Sequence, residues 1–133
     1  MKYLIDTNIC IYIMNQRPLV VIEKFKQFEM GDIGVSSITV AELQYGVEKS
    51  GNPKMNQRRL EDFLAPFDII AFGQDAASAY GDVRFQLEKR GQPIGPLDVM
   101  IAAHAISEGM ILVTNYEKEF TRISSLTVEN WIK

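Results

Sequence analysis

Short apolar runs alternate along this chain with longer amphipathic segments. Tyr3-Leu4-Ile5 is too short for a helix and ends on Asp6, Thr7 and Asn8, all helix-capping residues. It predicts a buried strand giving way to a helix through Ile9, Tyr12 and Ile13. Arg17-Pro18 marks a break, after which Val21, Phe25 and Phe28 recur on one face of a helix that Gly31 is expected to close. Ile33-Gly34-Val35 is a second strand, and Leu43 and Val47 mark the helix that follows Ser36-Ser37. A turn at Gly51-Asn52-Pro53 leads into a surface helix from Lys54 to Ala65 with Met55, Leu60, Phe63 and Leu64 as its apolar stripe. Phe67 to Phe72 is a strand around a central apolar run. Gln74-Asp75 opens a helix to Arg90 with Ala76, Ala79, Tyr80, Val83 and Leu87 inward, and Gly91 stops it. Pro96 and Gly109 bracket the last long helix. Met110 to Thr114 is a buried strand, Asn115 to Phe120 a polar segment, and Leu126-Thr127-Val128 a short final strand.

This alternation predicts an α/β fold: a mostly parallel central sheet covered by helices on both faces. The 133 residues, 47% hydrophobic and 23% charged, suit one folded domain spanning 1–133. Asp6 interrupts the first apolar run before a secretory signal could form, and no stretch reaches transmembrane length, so a cytoplasmic protein is expected. The single cysteine, Cys10, excludes an internal disulfide and a Cys-rich zinc site. The single histidine, His104, lies in an Ala-rich helix and leaves little room for Ser-His-Asp or Cys-His catalysis. A net charge of -3 announces no global basic field for nucleic acid.

Asp6, Glu42, Asp98 and Glu119 all fall at strand ends or helix starts. In a parallel sheet such positions gather along one edge, where the crevices of open α/β folds lie. Each acid has a plain structural role available. Asp6 can cap the first helix; Glu42 can form a capping box with Thr39; Asp98 suits the positive end of a helix; Glu119 can be a surface acid. Their joint placement is what those roles leave unexplained. Carboxylates brought together repel, so the fold must neutralise them with a cation or raise some of their pKa values. Oxygen-only ligation selects Mg²⁺ or Mn²⁺, and the chemistry implied is metal-assisted cleavage of a phosphate ester.

Four spaced motifs carry a resemblance: Leu4-Ile5-Asp6-Thr7-Asn8; Ser36 to Leu43 with Tyr45-Gly46; Ile94-Gly95-Pro96-Leu97-Asp98 with Ile101-Ala102; and Leu112-Val113-Thr114-Asn115 with Glu119-Phe120. In order and spacing the chain resembles the PIN-domain ribonuclease toxins of the VapC type. The resemblance implies a three-layer α/β/α PIN fold and a Mg²⁺- or Mn²⁺-dependent endoribonuclease. It implies the toxin half of a type II toxin-antitoxin system, held in check by a cognate VapB-like antitoxin, and a homodimer. It carries catalytic and metal-ligand roles onto Asp6, Glu42 and Asp98. Many members place an Asp two residues after the Thr of the last motif; here that position is Tyr116, and Glu119 resembles the alternative pattern. Thr7, Thr114 and Asn115 are expected to support the site. Structured RNA is the implied substrate, with the anticodon stem-loop of initiator tRNA a candidate.

Lys49, Lys54, Arg58 and Arg59 cluster around one helix, and Arg84, Lys89 and Arg90 lead into the loop before Asp98. Lys49, Lys54, Arg84 and Arg90 are the candidate substrate contacts, against the plain reading of a solvated helix face. Three alternatives stay open: a catalytically silent interaction module, a metal-dependent nuclease acting on DNA, and a phosphatase of the haloacid-dehalogenase type. The last expects a second Asp where this chain has Asn8, and a receiver domain lacks its phosphoacceptor after the second and third strands.

Overall fold

The computed structural model describes residues 2–132, so positions 1 and 133 of the expected domain lie outside the described residues. In chain order the elements are β1 (Tyr3–Ile5), α1 (Thr7–Asn15), α2 (Leu19–Phe25), a 3₁₀ turn (Met30–Asp32), β2 (Ile33–Ser36), α3 (Ser37–Glu48), α4 (Pro53–Leu64), β3 (Asp68–Ile70), α5 (Gln74–Lys89), α6 (Pro96–Glu108), β4 (Ile111–Val113), α7 (Glu117–Phe120) and β5 (Val128–Glu129). The strands form one parallel sheet in the order β3-β2-β1-β4-β5. β1 is therefore central, registered Tyr3 to Ile33 on one side and Ile5 to Val113 on the other.

Successive strand residues point to opposite faces, and the core divides accordingly. Tyr3, Ile5, Ile33, Val35 and Val113 pack on one face with Ile9, Val21, Leu43, Val47 and Leu60, which come from α1 to α4. Leu4 and Leu112 pack on the other with Val83, Leu87, Val99, Ile101, Ala102 and Phe120. These are the helix–sheet–helix layers expected of the three-layer fold. Among the described residues no helix is long and apolar enough to cross a membrane.

Several local expectations are corrected. α2 ends at Phe25, and Gly31 sits in the separate 3₁₀ turn instead of closing the helix. Phe28 still reaches the core, stacked on the Trp131 indole with ring centroids 5.2 Å apart, so its burial comes from tertiary packing rather than helical phase. Met55 is exposed while Leu60, Phe63 and Leu64 of the same helix pack inward. The strand expected over Phe67 to Phe72 pairs only at Asp68–Ile70 and lies at the sheet edge, with Ile69 exposed. The helix carrying Glu42 is capped by Ser36, whose Oγ accepts from the Ile38 amide at 3.0 Å. Thr39 is thus inside the first turn and cannot form the expected capping box with Glu42.

Candidate active site

The carboxyl ends of β1, β2 and β4 open together because these three strands are parallel neighbours. Asp6 follows β1, and its backbone amide donates to the Val113 carbonyl at 3.0 Å, which holds it against the end of β4. Its side chain also caps α1, accepting from the Ile9 amide at 2.9 Å. Capping and site membership therefore coexist. Burial pushes the Asp6 carboxyl up to about 6. Hydrogen bonds from the Thr114 hydroxyl and Ile9 amide oppose that rise, while the charges of Asp98 and Glu42 add to it.

Asp98 stands in the first turn of α6, which opens on Gly95-Pro96 without a side-chain cap. Its carboxyl is raised by partial burial, then by Glu42 and by Glu119. The mutual repulsion links all four expected acids: Asp6 feels Asp98 and Glu42, and Asp98 feels Glu42 and Glu119. Glu119 belongs to the first turn of α7, where Tyr116 is the N-cap. The Tyr116 side chain is exposed, and from this segment the charge that acts on Asp98 is that of Glu119.

The supporting hydroxyls have definite partners. Thr7 Oγ1 donates to Glu42 Oε1 at 2.8 Å and lies 3.3 Å from Thr39 Oγ1. Thr114 accepts from the Tyr116 amide at 3.0 Å, which leaves its own proton for Asp6. Asn115 donates through Nδ2 to the Tyr12 hydroxyl at 3.0 Å. Beneath the crevice, Ser36 Oγ and His104 Nδ1 share a 2.8 Å hydrogen bond in the core, joining the start of α3 to the middle of α6. No periodicity reveals that pair, whose members are far apart in sequence. Burial holds the His104 imidazole below its usual range, against the pull of Glu108 and the Ala71 carbonyl.

The donor set suits a hard, water-keeping cation. Carboxylate oxygens predominate, and among the described residues no three or more His, Cys, Asp and Glu side chains are placed to hold a metal ion together, so the acids would supply only part of its coordination shell. Mg²⁺ commonly takes one or two carboxylates and retains several waters, so an open cluster of repelling acids fits it. Asp6, Glu42, Asp98 and Glu119 are the groups that could hold it.

The expected basic contacts divide. Lys49 shares a groove of about 650 Å³ with Thr7, Asn8, Glu42, Tyr45, Leu97 and Met100. Arg59, from the same basic cluster, reaches the Met14 carbonyl and Asn15 Oδ1 and lines a second groove with Thr7 and Glu42. Lys54 is exposed in the first turn of α4. Arg84 is occupied by Glu88 at 3.0 Å and the Tyr80 hydroxyl at 2.7 Å, and Arg90 by the Arg122 carbonyl at 2.8 Å. Arg90 lines a separate cavity with Asp82, Gln86 and Ser124. Neither Arg84 nor Arg90 is among the residues lining the grooves at Glu42.

A parallel α/β sheet with acids gathered at its carboxyl edge is the architecture of a PIN domain, and the PIN-domain family model matches residues 3–126. The chain is 47% identical over 132 residues to "Ribonuclease VapC2" of Haemophilus influenzae, covering 99% of each chain. It is 41% identical over 131 residues to "tRNA(fMet)-specific endonuclease VapC" of Shigella flexneri, covering 98% of each. The toxin–antitoxin complex VapBC2 of Rickettsia felis, solved bound to a DNA fragment from its promoter, contains a chain that superposes with a TM-score of 0.90 at 43% identity, covering 98% of this chain and 99% of that one. This chain belongs to the VapC ribonucleases of the PIN-domain family.

Proposed function

We propose that this protein is the toxin of a VapBC-type pair, an endoribonuclease that hydrolyses phosphodiester bonds in structured RNA with Mg²⁺ or Mn²⁺ held by Asp6, Glu42, Asp98 and Glu119. The observation that carries it is the electrostatic coupling of these acids in one crevice of a chain whose relatives are named ribonucleases along nearly their whole length. A VapB-like antitoxin is its partner, by similarity to the toxin–antitoxin complexes. A tRNA is the favoured substrate, by similarity to the Shigella enzyme.

The bound cation supplies charge neutralisation at the phosphate and a more acidic water. The chain's own residues prepare the place. Ile9 N–H and the Thr114 hydroxyl both hydrogen-bond the Asp6 carboxylate. Thr7 fixes Glu42. Asp98 is held by the helix start that carries it, whose unpaired amides favour an anion nearby.

The test is cleavage of a structured RNA pool with Mg²⁺ and with a chelator, beside Asp98→Asn protein purified identically. Cuts that need both the metal and Asp98 are expected. Cleavage that persists in Asp98→Asn would overturn the assignment of the site, and equal cleavage of single-stranded DNA of the same sequence would overturn the restriction to RNA.

A further inference from the structure

One stripe of α3 runs outward from the acidic crevice through Glu42, Tyr45, Gly46 and Lys49, spaced by three, four and seven residues from Glu42. Residues at such spacings share a helix face. All four line the same groove, opposite Leu97 and Met100 of α6. Tyr45 is 65% exposed, an unusual position for a ring that makes no aromatic contact with the core. Lys49 Nζ lies 4.9 Å from its ring centroid, so the cation and the π-face are presented together. Gly46 forms the floor beside them, and open space stands where its Cβ would be.

We propose that Tyr45 and Lys49 form an RNA subsite flanking the scissile bond: an unpaired base stacks on the Tyr45 ring and an adjacent phosphate meets Lys49. This rests on the ribonuclease reading and specifies which strand segment the site engages. Along the helix axis Tyr45 lies ~4.5 Å and Lys49 ~10 Å beyond Glu42. That reach covers one to three nucleotide steps of about 3.4 Å in a stacked strand. The occupant is single-stranded RNA because the groove is continuous with the acids at Glu42 and pairs an exposed ring with a cation, the combination that grips a base and its backbone without reading sequence. A duplex keeps its bases stacked on each other and cannot offer a free face, so the subsite selects loops and bulges.

Steady-state cleavage of an RNA hairpin in Mg²⁺ tests this with Tyr45→Ala, Tyr45→Phe and Lys49→Ala. Tyr45 is exposed, so these variants keep the fold. Tyr45→Ala raises KM about tenfold with kcat unchanged, the signature of lost uniform binding, and Tyr45→Phe restores the wild-type KM. Lys49→Ala raises KM and lowers the slope of log KM against log salt by about one unit. Unchanged KM in Tyr45→Ala, beside wild-type cleavage that still requires Asp98, overturns the subsite alone. The same result with lost binding of a VapB-like antitoxin makes this face a protein contact and also overturns it. Absence of Asp98-dependent cleavage by the wild-type chain overturns the ribonuclease reading on which the subsite rests.

Discussion

Thr7 Oγ1 and Glu42 Oε1 stand 2.8 Å apart, so the first turn of α1 holds the acid of α3 in place. The same threonine begins the helix that Asp6 caps. Positions that are adjacent at the end of β1 thus serve two acids from different elements. Thr7→Val keeps the shape and removes the donor. It is expected to cost about 1–2 kcal/mol of stability, the range for a hydrogen bond to a charged acceptor that is partly open to water. Cleavage should fall through kcat more than KM. Chemical denaturation and initial-rate kinetics check both, and an unchanged kcat would show that Glu42 does not need this restraint.

Asp98→Asn removes one charge from a repelling group at nearly constant volume. In a chelator its melting temperature is expected to equal or exceed wild type, because Asp98 is opposed by Glu42 and Glu119. Cleavage should be lost. A large drop in melting temperature would mean instead that the carboxylate is a structural anchor of α6.

The raised Asp6 carboxyl sets the pH response. Its folded value of about 6 exceeds the ordinary carboxyl value of 3.8, so between those values the native state binds more protons than the unfolded state. Stability conferred by the proton is present at low pH and is lost as pH rises toward and through about 6. That rise corresponds to a decline on the order of 3 kcal/mol. Melting in chelator across pH 4–7 measures it, and Asp6→Asn should flatten the curve. A wild-type stability that rises over this window would contradict the dominance of burial over hydrogen bonding at the Asp6 carboxyl.

Divalent cation is expected to act in the opposite sense. Binding to the native acids alone raises the melting temperature, by about 2.7 kcal/mol of added stability when the ion is at a hundredfold its Kd. Protons compete for the same carboxylates, so this gain should shrink below pH 6. Calorimetry with Mg²⁺ and with Mn²⁺ is the check; wild type and Asp98→Asn gaining equally would remove Asp98 from the ligand set.

Ser36→Ala takes away the cap of α3 and the partner of His104 Nδ1 in one step. A lost cap costs about 1 kcal/mol and a buried polar atom left unpaired about 1–3 kcal/mol, so a loss of roughly 2–4 kcal/mol is expected in urea unfolding. A loss under 1 kcal/mol would mean that the core hydrogen bond contributes little.

Much of this was legible in residue order. Asp6, Glu42 and Asp98 announce themselves because each follows an apolar run or opens a helix, and parallel strands bring such positions to one edge. Pro96 and Gly109 bracket α6, and Gly109 takes the left-handed φ of 64° that its place after a helix implies. What stayed hidden depends on three-dimensional partners. The spacing of Thr39 and Glu42 allows a capping box because local sequence cannot tell that Ser36 already starts the helix. Met55 fits the helical period but faces solvent, since α4 covers only a narrow strip with Leu60, Phe63 and Leu64. Arg84 and Arg90 read in sequence as free cations, yet Glu88 and the Arg122 carbonyl hold them. Tyr45 belongs to the second motif by its place in the sequence, but its exposure beside Lys49 is visible only in the fold.

The strand order has a consequence for synthesis. β1 emerges from the ribosome first, yet its far neighbour β4 is made only at Ile111–Val113. Until then Asp6 lacks the Val113 carbonyl that anchors it and the Thr114 hydroxyl that fixes its carboxylate, and Asp98 lacks the opposing charge of Glu119. The acids therefore come together only after most of the chain has been translated. An interrupted translation product ending before β4 carries Asp6, Glu42 and even Asp98 but neither Thr114 nor Glu119, so the full set of acids cannot assemble on it.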